Sequence, residues 1–175
     1  VRWGSETTTD DAEGEAVKTS DVRPNRDAIE AELPKFRGQI MQTPPRFSAI
    51  KIEGERAYDL ARDGEEFELA ARAVDILRFD IVDMPTPDTC LFDVECGKGT
   101  YVRALARDIG RLLGCYGHVA ELRRLYVGPF RDSEAISLET LNELSNSADG
   151  REALEKVLLP VETALDGIPA LAVGG

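Results

Sequence analysis

Between Ile76 and Leu113 the spacing of the apolar residues changes once, from every second position to every third or fourth. Ile76 to Asp83 alternates, with Leu77, Phe79 and Ile81 on one face and Arg78, Asp80 and Val82 on the other. Leu91 to Cys96 alternates too, with Phe92, Val94 and Cys96 set against Asp93 and Glu95. The link from Met84 to Thr89 contains Pro85 and Pro87 and is short, so the two strands should pair antiparallel. From Tyr101 to Leu113 the pattern is helical: Val102, Leu105, Ile109 and Leu112 form a stripe, and Gly114 is the stop. A strand pair with one apolar face, followed at once by an amphipathic helix, has to bury one against the other. Elsewhere strands and helices are interspersed without a regular βαβ repeat. The predicted class is therefore α+β, with a mixed, largely antiparallel sheet flanked by helices.

The remaining segments are less regular. A helix is expected from Asn25, with Ile29, Leu33 and Phe36 inward and Pro34 ending or distorting it. Gln39–Gln42 and Arg46–Ile52 are short strand candidates around Pro44-Pro45, with a turn at Gly54. Glu55 to Asp63 reads as a short helix, with Tyr58 and Leu60 near one face and Gly64 as its left-handed cap. Residues 4–24 are polar and without period, which predicts a surface loop. Further helices are expected from Ser137 (Leu138, Leu141, Leu144) and from Arg151 to Leu159. Val1-Arg2-Trp3-Gly4 reads like the end of a strand already under way, and Ile168 to Gly175 stops without a terminating element. Both ends are thus expected to be cut from a longer protein, with Trp3 exposed if neighbouring strands are gone.

Composition narrows the function. The 175 residues carry a net charge of −12, which at first argues against a nucleic-acid partner. Cys90, Cys96 and Cys115 have neither disulfide nor zinc spacing and fit a reducing, cytoplasmic compartment. His118 stands alone, and no apolar run is long enough to span a membrane. The placement of the charges points the other way. From Lys98 to Arg131 seven basic residues face two acids, a local charge of +5 that leaves −17 on the rest. Arg103, Arg107 and Arg111 recur every fourth residue as one basic stripe, either a solvated helix face or part of a phosphate-binding patch. Gly97-Lys98-Gly99 leads into that helix and offers an anion seat, but the spacing is not that of a Walker A loop, since Phe92 stands where its first glycine would be.

These residues also carry a family resemblance. Val94-Glu95-Cys96-Gly97-Lys98-Gly99-Thr100-Tyr101-Val102-Arg103, then Asp108-Ile109-Gly110, Leu113-Gly114, His118-Val119 and Leu122-Arg123-Arg124-Leu125, resembles the TruB family of bacterial tRNA pseudouridine synthases. Gly4 to Gly14 is similar to the family loop G-x-x-T-x-T-x-D-x-x-G. Phe36 to Ile40, Pro44 to Lys51, Tyr58 and Ala61 to Gly64 are similar to the insertion that pinches the RNA hairpin.

The resemblance implies a pseudouridine synthase-like fold and an enzyme that isomerises a T-arm uridine of tRNA without cofactor or metal. The base is flipped out of the RNA and an aspartate attacks the nucleoside. That aspartate sits in a Leu-Asp-Pro motif, which does not occur in this chain, so the nucleophile is expected upstream and the chain alone inactive. Four roles carry over. Arg103 matches the arginine that pairs with the catalytic carboxylate, Tyr101 the tyrosine near the target base, Leu122 an apolar pocket residue, and Asp11 the loop aspartate near the site. Arg107 and Lys51 are expected on the RNA side. Lys98, Arg123 and Arg124 serve phosphates or structure. Residues 1–160 would form part of the catalytic domain, with the insertion at about 44–74, and 161–175 a linker toward an RNA-binding domain. Glu53, Glu55, Glu65, Glu66 and Glu68 make the insertion acidic for an RNA clamp. The rival expectations are a non-catalytic RNA-binding domain and an acidic protein-interaction domain.

Overall fold

The computed structural model describes residues 1–165 apart from 53, 63, 65, 66 and 148. In chain order its elements are β1 (Arg2–Trp3), β2 (Ser5–Thr7), β3 (Ala16–Thr19), α1 (Arg26–Glu32), β4 (Gly38–Gln42), β5 (Lys51–Ile52), β6 (Glu55–Arg56) and α2 (Ala57–Arg62). Then follow β7 (Arg72–Thr86), β8 (Thr89–Cys96), α3 (Val102–Leu112), β9 (Gly117–His118), β10 (Tyr126–Val127), β11 (Phe130–Arg131), α4 (Leu138–Ser145) and α5 (Gly150–Glu155). Contacts divide the chain into two units, Val1–Leu122 and Arg123–Gly175.

The first unit is built on a five-stranded sheet of order β4-β7-β8-β1-β9, antiparallel at every pairing. β7 and β8 form the predicted hairpin. The strand runs on through Pro85 to Thr86, where β4 no longer pairs with it, so the missing proline N–H removes no ladder bond on that edge. One expectation fails on this strand. A bulge between Ile76 and Arg78 sets two residues of β7 against one of β8. It turns Leu77 outward, 69% exposed, while Val74, Ile76 and Phe79 point inward.

The apolar face packs Phe79 between Phe36 and Phe92, with Trp3 edge-on to Phe92 at 6.1 Å between ring centroids. Trp3 is therefore buried, at 2% exposed, contrary to the expectation for a strand remnant. α1 starts where expected, with the Asn25 side chain accepting the Ala28 N–H. It delivers Ile29, Leu33 and Phe36 to the same core, the last two from a 3-10 turn that begins before Pro34. From α3 come Leu105 and Ile109, whereas Leu112 in the last turn lies half out in solvent. Burying each large side chain contributes roughly 1.5–3 kcal/mol. α3 lies close to β9 because Gly110 has no side chain: a Cβ there would stand 2.4 Å from the Gly117 nitrogen.

Two further expectations are corrected. Residues 4–24 are not a surface loop throughout, since β2 and β3 pair and Glu6, Thr7 and Asp10 are buried. Of Arg46–Ile52, only Lys51–Ile52 is strand, paired with β6 across Gly54. The helix expected to end at Asp63 is observed over Ala57–Arg62; Asp63, Glu53, Glu65 and Glu66 lie outside the described residues.

The second unit holds the β10–β11 hairpin, α4 and α5. Ser137 caps α4 by accepting the Thr140 N–H, as its position predicts. No described residue from Arg123 to Ala164 is buried. Residues 166–175 of the expected linker lie outside the described residues.

Candidate active site at the start of α3

α3 begins at a turn set by its own sequence. Gly99 takes φ +84°, open to glycine and strained for other residues, and Tyr101 stands extended as the N-cap. No side chain of the helix caps it; the amide of Gln42 does so from β4. Gln42 Oε1 accepts the Tyr101 N–H at 2.9 Å, and Gln42 Nε2 donates to the Tyr101 carbonyl at 3.2 Å. Arg72, the cross-strand partner of Gln42, donates to the Gly99 carbonyl at 2.8 Å, and its guanidinium lies 5.2 Å from the Tyr101 ring centroid. Nothing in the sequence marks either residue, because a lone Gln or Arg near the end of a strand has no motif.

The arginine stripe is paired along its length with acids from the 4–14 loop. Arg103 donates to Asp11 Oδ2 at 3.0 Å, to the Thr9 carbonyl at 2.9 Å and to the Phe47 carbonyl at 2.8 Å. Arg107, expected on the RNA side, is 6% exposed. It donates to Asp10 and Asp108 and to the Thr43 carbonyl, which ties its guanidinium inside the fold. Arg111 grips Glu6 with two hydrogen bonds of 2.6 and 2.7 Å. One helix face thus meets three acids of the 4–14 loop, rung by rung. The acids sit about a hundred positions away in the chain, so counting charge along Lys98–Arg131 could not see them.

Electrostatics follow the geometry. The Arg111 hydrogen bonds hold the Glu6 carboxyl below its ordinary range, although burial opposes them. For Asp10 burial outweighs the nearby Arg107, and its carboxyl is pushed up to about 6. Asp10 also has φ +61°, a left-handed conformation that Asp tolerates better than most residues. Its carbonyl accepts the Val119 N–H at 3.1 Å, which docks the loop beside β9. Asp11 is held on every side: Thr9 Oγ1 and the Glu13 N–H donate to Oδ1, and Thr7 Oγ1 donates to its carbonyl.

Arg103 and Asp11 are therefore brought together beside the start of α3, where Tyr101 is the N-cap residue. Leu122 is 60% exposed at the end of the first unit. Lys98 sits on the turn before α3, and Lys51 lies on β5, both exposed. Arg123 belongs to the second unit, where it is paired with Asp132 at 2.6 Å; Arg124 is exposed beside it in sequence. Among the described residues no cluster of His, Cys, Asp and Glu could hold a metal, and no helix is long and apolar enough to cross a membrane.

The antiparallel sheet flanked by helices agrees with the α+β class read from the sequence, and comparison with known proteins shows the family. The chain belongs to the TruB family: residues 1–102 match the TruB family pseudouridylate synthase N-terminal domain, and residues 103–166 the tRNA pseudouridylate synthase B C-terminal domain. It is 60% identical over 174 residues to tRNA pseudouridine synthase B of Bradyrhizobium diazoefficiens, covering 99% of this chain and 50% of the relative. It is 58% identical over 173 residues to the same enzyme of Caulobacter vibrioides, covering 99% and 54%. The chain spans about half the length of the curated relatives it matches. Among solved structures it resembles a Cbf5-Nop10-Gar1 complex, with TM-score 0.63, 31% identity and coverage of 83% of this chain and 40% of that one. It also resembles an H/ACA RNP bound to a substrate RNA containing 2′-deoxyuridine, with TM-score 0.60, 25% identity and coverage of 82% and 38%.

Proposed function

We propose that the protein carrying this chain converts a T-arm uridine of tRNA to pseudouridine, with the α3 entrance as half of its active site. The observation that carries the reading is the state of Arg103. Three of its five N–H donors are held by Thr9, Asp11 and Phe47, which fixes the guanidinium in place. Among the described residues one donor on Nε and one on Nη2 are left for a second carboxylate. The family's catalytic aspartate is that carboxylate in our reading. A fixed cation beside it keeps it ionised and oriented for attack on the nucleoside.

The rest of the site has matching tasks. Tyr101, half-exposed on the first turn, offers a ring and a phenol to a base flipped out of the RNA. Asp11 locks Arg103 from the opposite side, so the arginine cannot swing toward solvent. Leu122 supplies apolar surface to the pocket and helps exclude water. Lys98, Lys51 and Arg124 meet phosphates, while Arg123 is already paired with Asp132.

Tritium release from tRNA labelled at C5 of uridine tests the reading. The intact protein should release tritium and pseudouridine should replace the T-arm uridine, whereas the 175-residue chain alone should release none. Arg103→Ala in the intact protein should lower kcat at least about 100-fold, the scale of a misplaced reacting group. A near-normal rate in that variant would remove Arg103 from the chemistry.

A further inference from the structure

We propose that Gln42 and Arg72 are a cross-strand clamp that positions Tyr101 for the reaction, an inference that rests on the reading of Tyr101 above. Gln42 is 1% exposed, and a buried amide costs about 1–3 kcal/mol unless its groups are bonded. Both ends of this amide reach one residue, accepting from the Tyr101 N–H and donating to the Tyr101 carbonyl. The carbonyl also accepts the Leu105 N–H at 3.3 Å, so both its lone pairs are engaged. An apolar side chain would fill the same space without fixing the tyrosine backbone.

Arg72 holds the ring. It faces Gln42 across the β4–β7 ladder, so both side chains leave the same side of the sheet. Its Nη2 donates to the Gly99 carbonyl, which the left-handed turn at Gly99 presents to it, and its guanidinium lies over the tyrosine face. Tyr101 is thereby tied at backbone nitrogen, backbone oxygen and ring. α3 needs an N-terminal cap for its own stability, but the Arg72 contact adds nothing to capping. Its place over the ring is what a positioning role requires.

The experiment has two arms. In the protein labelled with 13C-tyrosine, the Tyr101 ring signals should move in Gln42→Met and in Arg72→Gln, while those of Tyr116, which packs by Lys18, stay in place. Unmoved Tyr101 signals in both variants would overturn the clamp. In the intact enzyme, Arg72→Gln should lower kcat roughly 10- to 100-fold with KM for tRNA and Tm unchanged. The same substitution should cost nothing further in a Tyr101→Ala background. A raised KM with normal kcat and a salt slope shallower by about one would instead make Arg72 a phosphate contact and overturn the proposal. Should the wild type release no tritium, the functional reading falls, and the ring signals alone still decide whether the clamp exists.

Discussion

Asp10 should leave a measurable signature in the pH dependence of stability. Its carboxyl is pushed from an ordinary value of 3.8 up to about 6 because burial outweighs the neighbouring Arg107. A carboxyl raised in the folded state binds its proton more tightly there than in the unfolded chain. Its contribution is therefore fully present below pH 3.8 and is lost as pH rises through 6. A difference of that size corresponds to about 3 kcal/mol, of which roughly 2 kcal/mol is lost between about pH 4.5 and about pH 7.5. Asp10→Asn is the right perturbation. Asn keeps an acceptor for Arg107 and tolerates the left-handed backbone at φ +61°, but cannot ionise. Urea unfolding of both proteins across this range isolates the Asp10 contribution as a difference between two curves. The wild type should lose about 2 kcal/mol more than the variant. Parallel curves would refute the reasoning and show that Arg107 holds the carboxylate ionised throughout.

Other expectations follow from the same contacts. Arg107→Met leaves Asp10 buried without its partner and should cost about 3–5 kcal/mol by urea unfolding, much of it restored by adding Asp10→Asn. Gly110→Ala places a Cβ 2.4 Å from the Gly117 nitrogen, so thermal unfolding should show a loss of at least about 2 kcal/mol. The Glu6 carboxyl is lowered by Arg111, so its contribution is present at neutral pH and lost in acid; Glu6→Gln should flatten the acid limb of the stability curve.

What can be read from the residues alone is whatever depends on near neighbours. The β7–β8 hairpin, the span of α3 and the caps at Asn25 and Ser137 all follow from spacing and local chemistry, and all are observed. Leu77 escapes such reading because a bulge shifts the period by one residue, and nothing in the strand's composition marks it. The arginine stripe is legible as a stripe but not as a set of ion pairs. A helical period places Arg103, Arg107 and Arg111 on one face; only the fold brings Glu6, Asp10 and Asp11 to meet them. Complementary spacing of acids in the 4–14 loop is the available hint. Gln42 and Arg72 are invisible because their meaning lies in the residue they hold.

The ladder between the 4–14 loop and α3 also dictates when this site can exist during synthesis. Asp11 and Arg103 are 92 positions apart, Asp10 and Arg107 are 97, and Glu6 and Arg111 are 105. At about 5–20 residues per second, a ribosome needs roughly 5–20 s between making the acid and making its arginine. Through that interval Glu6, Asp10 and Asp11 lack their arginines, and the loop has its own β2–β3 pairing and the bonds around Asp11 to hold its shape. The site thus forms only once α3 has been made, shortly before β9 can close the sheet on β1. A pause or slow codon run between Asp11 and Arg103 would prolong the exposure of an unanchored segment without touching the finished structure.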